Sequence, residues 1–557
     1  MNNFEDFKNE LLNDIKNNKK SCLQKIEANQ GYVIANIGEE GDRKMIDKFV
    51  DGIINSLFIA KKYSMFEKFL KHPLIYEVHR TFRNSKVLIE ACKRNDKNVL
   101  KWLITMNINP CVQDENGMTA LMYASKVPEQ LFVVKYLITK PECLNLVDKN
   151  GENAVFHALK NTDSLAEILK TDIDVNCRNN NNEEPLMYCC KYDIFNAIGY
   201  LVQSNNINVN TMDKAERTPA MILTEKGRYN EIILLRKRRC DFNFKNRNNE
   251  CVLSILINKM YLTSNDLFSE YIRIIVALVF SDCNFNIPID EEGNTAFMIF
   301  MAVQDWYSVY FIAKGQGNRI DLSVKNNFGE NATSLFIKNG SYNNSIYEAF
   351  INNRTFDFEY VDSNNNNNLL MLSAMKEPKL VNTIIENNVN FINCVNSRNE
   401  NALILATKFN NEDAVKNLLK IGIYVNQQDY LGNNALYYAV NNKNFNIIKL
   451  LLLNGADMNL NNLNGVSPLN HAHSLCDKSL IAALNNPMGI PYTKYEEKFD
   501  PMEKYLDTAE YLYPCISSSY PKFKMTYPLE CLEKSVYMGN MVKIGMSCDL
   551  DPYSKKQ

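Results

Sequence analysis

Between Asp429 and Asn459 the apolar positions fall into two clusters at helical spacing. Leu436, Ala439 and Val440 mark a short first helix, and Ile447, Ile448, Leu450, Leu451 and Leu452 mark a second. The second has an apolar face too wide for a helix with one side in water, so neighbours must cover it. Gly432 permits a tight turn after Asp429, residues 441–444 break the first helix, and Gly455 stands where a left-handed helix stop belongs. One such unit cannot bury a core alone.

The unit recurs. Leu403, Leu436 and Leu469 stand at equivalent positions 33 residues apart, and Leu88 and Leu121 repeat that spacing. The pattern also runs through DENGMTALMYA from Asp114, DKNGENAVFHA from Asp148, NNNNEEPLMYCC with Pro185-Leu186, and DKAERTPAMIL with Thr218-Pro219. In these residues the chain resembles the ankyrin repeat family, whose pattern joins a D-x-x-G-x-T-P-L-H-x-A hairpin, two antiparallel helices and a G-A-D-x-N exit. The resemblance implies an all-α solenoid of helix-turn-helix units with short hairpin loops and about 11 to 12 repeats. A helical N-terminal cap and an irregular C-terminal cap are expected to flank it.

Three segments follow from this reading: a helical block at 1–80, the solenoid at 81–486, and a Tyr- and Pro-containing cap at 487–557. In the first, Phe4, Phe7, Leu11 and Ile15 form one helical stripe on a mixed-charge helix, which suits an end cap better than a membrane surface. Leu57, Ala60 and Ser64 suggest a degenerate terminal repeat. The solenoid is irregular over 258–395. There Phe297 follows Leu253 by 44 residues, about eleven over the period, and the excess is expected in the loop near 261–270. Residues 258–271 could therefore add to a binding surface or be a tolerated loop. In the C-terminal segment, Leu532–Met541 repeats a first-helix signature. Tyr527-Pro528-Leu529-Glu530 is a faint echo of the F-box-like start with which some ankyrin proteins recruit a ubiquitin ligase.

Composition narrows the function classes. With 62 basic and 64 acidic side chains the net charge is −2, so no bulk field draws the chain to nucleic acid or anionic membrane, and no nucleic-acid partner is expected. The longest apolar run, Ile274–Phe280, is too short to span a membrane, and the first residues lack a secretory signal pattern. A cytoplasmic location is the expectation, nuclear being the variant. The 15 cysteines are scattered without a C-x-x-C, which reads as free, buried thiols in a reducing compartment. Abundant asparagine suits left-handed turns.

Catalytic and cofactor chemistry has no signature. Gly315-Gln316-Gly317, expected in the connection after a repeat helix, lacks the third glycine of a phosphate loop. His471 and His473 are too close for one helical face, and His157 and His471 sit where histidine serves hairpins in this family, so no metal site or cofactor is expected. Arg236-Lys237-Arg238-Arg239 reads as the positive last turn of a helix rather than an import signal. Asn331 and Asn353 head glycosylation triplets that are inert without secretion.

Function is then expected on the concave side of the stack, at hairpin tips and first-helix ends. The resemblance places candidate partner contacts at Glu115, Asn116, Met118, Lys126 and Val127, and at Tyr430, Leu431, Asn433, Asn441 and Asn442. The expected function is a non-catalytic scaffold, a monomer binding a protein or peptide. Alternatives are a substrate adaptor for a ubiquitin ligase or trafficking complex, or an enzyme with an unrecognised module in the terminal blocks.

Overall fold

A computed structural model describes residues 4–261, 267–339, 344–376, 378–387 and 389–489. The expected features at 490–557, including Tyr527–Glu530 and Leu532–Met541, lie outside the described residues. The chain divides into two units, Met1–Cys240 and Asp241–Gln557.

In the first unit the helix Phe4–Lys16 packs on Arg43–Leu57, and its apolar stripe of Phe4, Phe7, Leu11 and Ile15 is buried within the chain. That burial agrees with an end cap. Leu57 closes the helix Arg43–Leu57 while Ser64 opens the next, so Leu57, Ala60 and Ser64 do not share one helix as expected. Five helix pairs follow, from Val87–Arg94 with Lys97–Thr105 to Pro219–Glu225 with Tyr229–Lys237. The described residues of the second unit hold seven, from Val252–Tyr261 with Phe268–Val279 to Pro468–Ser474 with Lys478–Asn485. Among the described residues there are helices and isolated bridges such as Gln113 to Thr119, and no strand.

Local chemistry fixes each repeat. Counting from the hairpin aspartate or asparagine as the first residue, its Oδ1 accepts the third and fifth backbone N–H groups. Asp114 receives Asn116 at 2.9 Å and Met118 at 3.0 Å. Asp429 receives Leu431 and Asn433, both at 2.9 Å. The fourth residue then has positive φ, +74° at Gly117 and +81° at Gly432, where a Cβ would lie only 2.7 Å from the Leu463 nitrogen. At the sixth residue Thr119, Thr218 and Thr295 cap the first helix, and Asn401 and Asn434 do the same through Oδ1. Each of these asparagines also donates its amide, Asn401 to Tyr424 O at 3.0 Å and Asn434 to Asp457 O at 3.2 Å.

That second role gives the asparagine content a structural cause beyond turns. Hairpin asparagines donate to an amide of the preceding hairpin, the fifth residue in Asn326 to Asn294 at 2.8 Å and Asn462 to Asn433 at 2.8 Å, and the sixth in Asn396 to Asn367 at 2.9 Å, where the hairpin holds one extra residue. Exit asparagines bridge backbones in the same way, Asn426 donating to Gly455 O and accepting from Asp457 N. Aspartate has no N–H for these ladders.

Four sequence expectations change. The excess near 261–270 is shared, because the helices Val252–Tyr261 and Phe268–Val279 have 10 and 12 residues where Ala402–Lys408 and Glu412–Lys420 have 7 and 9. Gly315 lies inside the helix Trp306–Gln316 rather than in a connection. The expectation that every thiol is free fails: Cys111 and Cys143 form a disulfide, and Cys394 and Cys476 are exposed. Cysteines 32 residues apart look unrelated in sequence, yet nearly one repeat period sets their Cα atoms 5.0 Å apart. In the helix Phe445–Leu453, Ile447, Ile448 and Leu451 are buried, whereas Leu450 and Leu452 are half-buried and Leu453 is exposed.

Candidate partner-binding surface

Hairpin tips are zipped to their neighbours through the backbone. Lys149 N donates to Asn116 O at 2.9 Å, Tyr430 N to Arg398 O at 2.9 Å and Leu463 N to Leu431 O at 3.0 Å. These bonds hold the backbone and leave the second- and third-position side chains pointing outward. Tyr430 is 55% exposed, Leu431 42% and Leu463 79%, making a contiguous apolar set on two adjoining tips. Sequence reasoning named the first two and missed Leu463.

Of the expected contacts, Glu115, Asn116, Lys126, Tyr430 and Leu431 are exposed, and Val127, Asn441 and Asn442 are half-buried. Glu115 is ion-paired with Lys86. Asn442 donates to Thr407 O at 3.1 Å and Lys408 O at 3.3 Å, and so caps the first helix of the preceding repeat. Asn441 faces His471 at 3.4 Å. Met118 and Asn433 are buried, which removes them from a contact surface. Both occupy the fifth position, whose N–H is drawn in by the hairpin aspartate. Asn433 further donates to Tyr438 Oη at 3.3 Å and accepts from Asn462.

The fifth position has a general partner that sequence reasoning overlooked. In three repeats it is a glutamate bonded to the lysine eight residues on: Glu183 to Lys191 at 2.5 Å, Glu330 to Lys338 at 2.8 Å, and Glu400 to Lys408. Arg217 and Glu225 make the same link with the charges exchanged, at 3.5 Å. The E-x7-K spacing was available as a signal. Lysines at this thirteenth position also reach the next hairpin, Lys93 to Asp114 at 3.0 Å. Burial pushes the Asp114 carboxyl up, but the hydrogen bonds from Lys93 and Tyr123 outweigh it and hold the group at about 2.

Tenth-position side chains point back to the hairpin. Tyr123 donates to Asp114 at 2.8 Å, Tyr438 to Asp429, and His157 Nε2 lies 3.1 Å from Asp148 Oδ2. Burial, aided by the charge of Lys126, lowers the His157 imidazole to about 4, so it is neutral and donates Nε2–H. Burial also raises the Glu152 carboxyl, with Asp148 adding repulsion. Asp148, Glu152 and His157 bring three ligand-type atoms within 4.8 Å of one another, but His157 stands where Tyr123 and Tyr438 make the same hairpin contact. Arg238 donates to Val202 O at 2.6 Å and Gln203 O at 2.7 Å, a helix-terminal role for the basic cluster. No helix among the described residues is long and apolar enough to cross a membrane.

Comparison with known proteins agrees with this architecture. A family model described as ankyrin repeats (3 copies) matches residues 57–150, 88–179, 129–213, 156–246 and 370–462, together more than half of the chain. An ankyrin repeat protein of fowlpox virus (strain NVSL) is 39% identical over 71 residues, 13% of this chain and 21% of the viral protein. One of Acanthamoeba polyphaga mimivirus is 44% identical over 57 residues, 10% of this chain and 8% of that protein. The matches thus span about a fifth and less than a tenth of these relatives.

Proposed function

The chain belongs to the ankyrin repeat family, and from that premise we propose that it is a non-catalytic scaffold that binds a protein or peptide on its hairpin tips and first-helix ends. Ankyrin repeats generally mediate protein–protein interaction. The observation that carries the reading is the tip set Tyr430, Leu431 and Leu463. Large apolar side chains stand exposed there on backbones locked by inter-repeat hydrogen bonds. Backbones held this way lose little freedom on binding, and aromatic anchors carry much of the interface energy. The concave surface of the family is where these positions belong, and a cytoplasmic or nuclear location suits such a role.

Proximity labelling in cells tests this, with the full chain beside a variant carrying Tyr430→Ser, Leu431→Ser and Leu463→Ser. Partners lost by a variant with unchanged circular dichroism support the tips as a recognition site. An unchanged partner list rejects them.

A further inference from the structure

Four consecutive repeats of the first unit place lysine at the thirteenth position: Lys93, Lys126, Lys160 and Lys191. All four are exposed. Lys93 and Lys191 are tethered by Asp114 and Glu183 yet keep 33% and 39% of their side-chain surface in water. Lys126 and Lys160 form no ion pair among the described residues. Of the acidic groups nearby, Glu115 is matched by Lys86 and Asp193 by Lys226, while Glu152 lies within the field of Lys126. Lys93 and Lys191 are balanced by their own acids, so the unpaired positive charge of the row lies on Lys126 and Lys160.

Rings alternate with these cations. Tyr123 lies under Lys93 at 5.0 Å and Lys126 at 5.7 Å, and Tyr192 lies under Lys191 at 5.5 Å. Tyr192 is exposed and packs 4.4 Å from Tyr188, which meets Phe156 of the preceding repeat at 5.6 Å. Packed helices stand roughly 8–10 Å apart, so the thirteenth positions of successive first helices recur at about that interval. A β-strand covers it in three residues but turns alternate side chains away. A polyproline II chain rises about 3.1 Å per residue with three residues per turn, so every third side chain returns to one face after about 9 Å.

We propose that Lys93, Lys126, Lys160 and Lys191 form a ladder for an acidic, proline-containing peptide in the polyproline II conformation, one carboxylate per repeat at every third residue. Prolines between the carboxylates pack on Tyr123, Tyr188 and Tyr192, as aromatic grooves receive such segments. A single nucleic-acid strand suits the face less well, because the backbone of such a strand needs an unbroken positive track and Glu115 and Asp193 interrupt this one. The inference rests on the repeat face being where partners bind, and adds the chemistry of one of them.

The test is fluorescence anisotropy of the full chain with a labelled peptide of four Glu-Pro-Pro triplets. Its comparators are a peptide of the same composition with the glutamates contiguous and a single-stranded oligothymidine. The triplet peptide is expected to bind about tenfold tighter than the contiguous one and to weaken with salt. Lys126→Glu with Lys160→Glu should cost about tenfold or more, and Lys126→Gln with Lys160→Gln a smaller loss with an unchanged melting curve. Equal binding of the two peptides, tighter binding of the oligonucleotide, or indifference to both variants overturns the ladder. Proximity labelling with the glutamine variant separates the two ideas. Partners lost without triplet binding leave the scaffold reading intact and remove the peptide chemistry, while an unchanged list without triplet binding overturns the lysine ladder and leaves the scaffold reading to the Tyr430, Leu431 and Leu463 variant.

Discussion

In the second unit the thirteenth-position lysine belongs to the core, whereas in the first it belongs to the surface. Lys338 has 4% of its side chain exposed against Glu330 at 5%, and Lys408 is largely covered while bonded to Glu400 and near Asp429 at 3.6 Å. Lys126 and Lys160 stand in water. Two local features decide whether the lysine finds its glutamate, the fifth residue and the length of the first helix; Lys191 has both and is bonded to Glu183, though still 39% exposed. Glu330 and Glu400 sit opposite helices, Ala332–Asn339 and Ala402–Lys408, that run as far as their lysines. Lys126 has the apolar Met118 at its fifth position. Lys160 has Glu152, but its helix Ala154–Ala158 ends two residues too soon, so lysine and glutamate are not brought together. One residue type in one repeat position thus becomes a structural ion or a free cation according to its neighbours.

The widest break in this comparison should come from Lys338→Met. It leaves Glu330 buried without its cation and should cost about 3–5 kcal/mol, read from the urea midpoint. Glu330→Leu with Lys338→Met should recover most of that, because the pair is replaced by apolar packing rather than broken. A single variant costing under about 1 kcal/mol would show that Glu330 is not held dry.

Next in size is a pH effect in the first unit. The His157 imidazole is lowered from its ordinary value to about 4 by burial. Between those two values the unfolded chain binds more protons than the folded one, so stability is full above about pH 6.5 and declines as pH falls toward 4. The loss is on the order of 1–3 kcal/mol. His157→Tyr, which supplies the contact that Tyr123 and Tyr438 make, should flatten the urea midpoint between pH 7 and 5.5. If the variant kept the wild-type slope, the protons would be binding elsewhere.

Hairpin chemistry also differs from repeat to repeat, with aspartate at Asp114, Asp148 and Asp429 and asparagine at Asn179, Asn326 and Asn396. Asn396→Asp removes the amide that bonds Asn367 at 2.9 Å and Glu400 at 2.8 Å, and sets a carboxylate beside a carboxylate. A loss of about 1–2 kcal/mol is expected. It should shrink at low pH as the new acid group is neutralised. Equal stability at both pH values would mean that the amide ladder adds nothing beyond the turn.

These three changes also mark what the sequence could tell. The period, the Leu403–Leu436–Leu469 register and the glycine stops were legible because each depends on residues close in sequence and on helical spacing. Burial at Met118 and Asn433 was not, since the hairpin pattern says that the fifth residue varies and not which way it points. The Cys111–Cys143 bridge and the asparagine ladders join residues about one repeat apart, a distance at which no local rule operates. E-x7-K links and the lysine row could have been found by aligning the repeats on themselves. Leu463 escaped notice because its hairpin, NLNGVSPLNHA, was read for its register and not for its tip.

The smallest effect sharpens the comparison most. If Lys126 and Lys160 are surface cations, Lys126→Gln with Lys160→Gln should shift the urea midpoint by no more than about 0.5 kcal/mol, because neither side chain fills a cavity or neutralises a buried acid. Lys160 is the stricter case. Glu152 lies in the same repeat with its carboxyl raised by burial and by Asp148, and would gain from any cation that swung inward. Were Lys160 to serve it in solution, Lys160→Gln alone would destabilise by 1 kcal/mol or more, and the loss would disappear in Glu152→Gln. The short helix Ala154–Ala158 argues against that movement. Near-zero cost in the single variant, set beside the several kcal/mol expected for Lys338→Met, would establish that helix length decides which of these lysines pairs with the glutamate of its own hairpin.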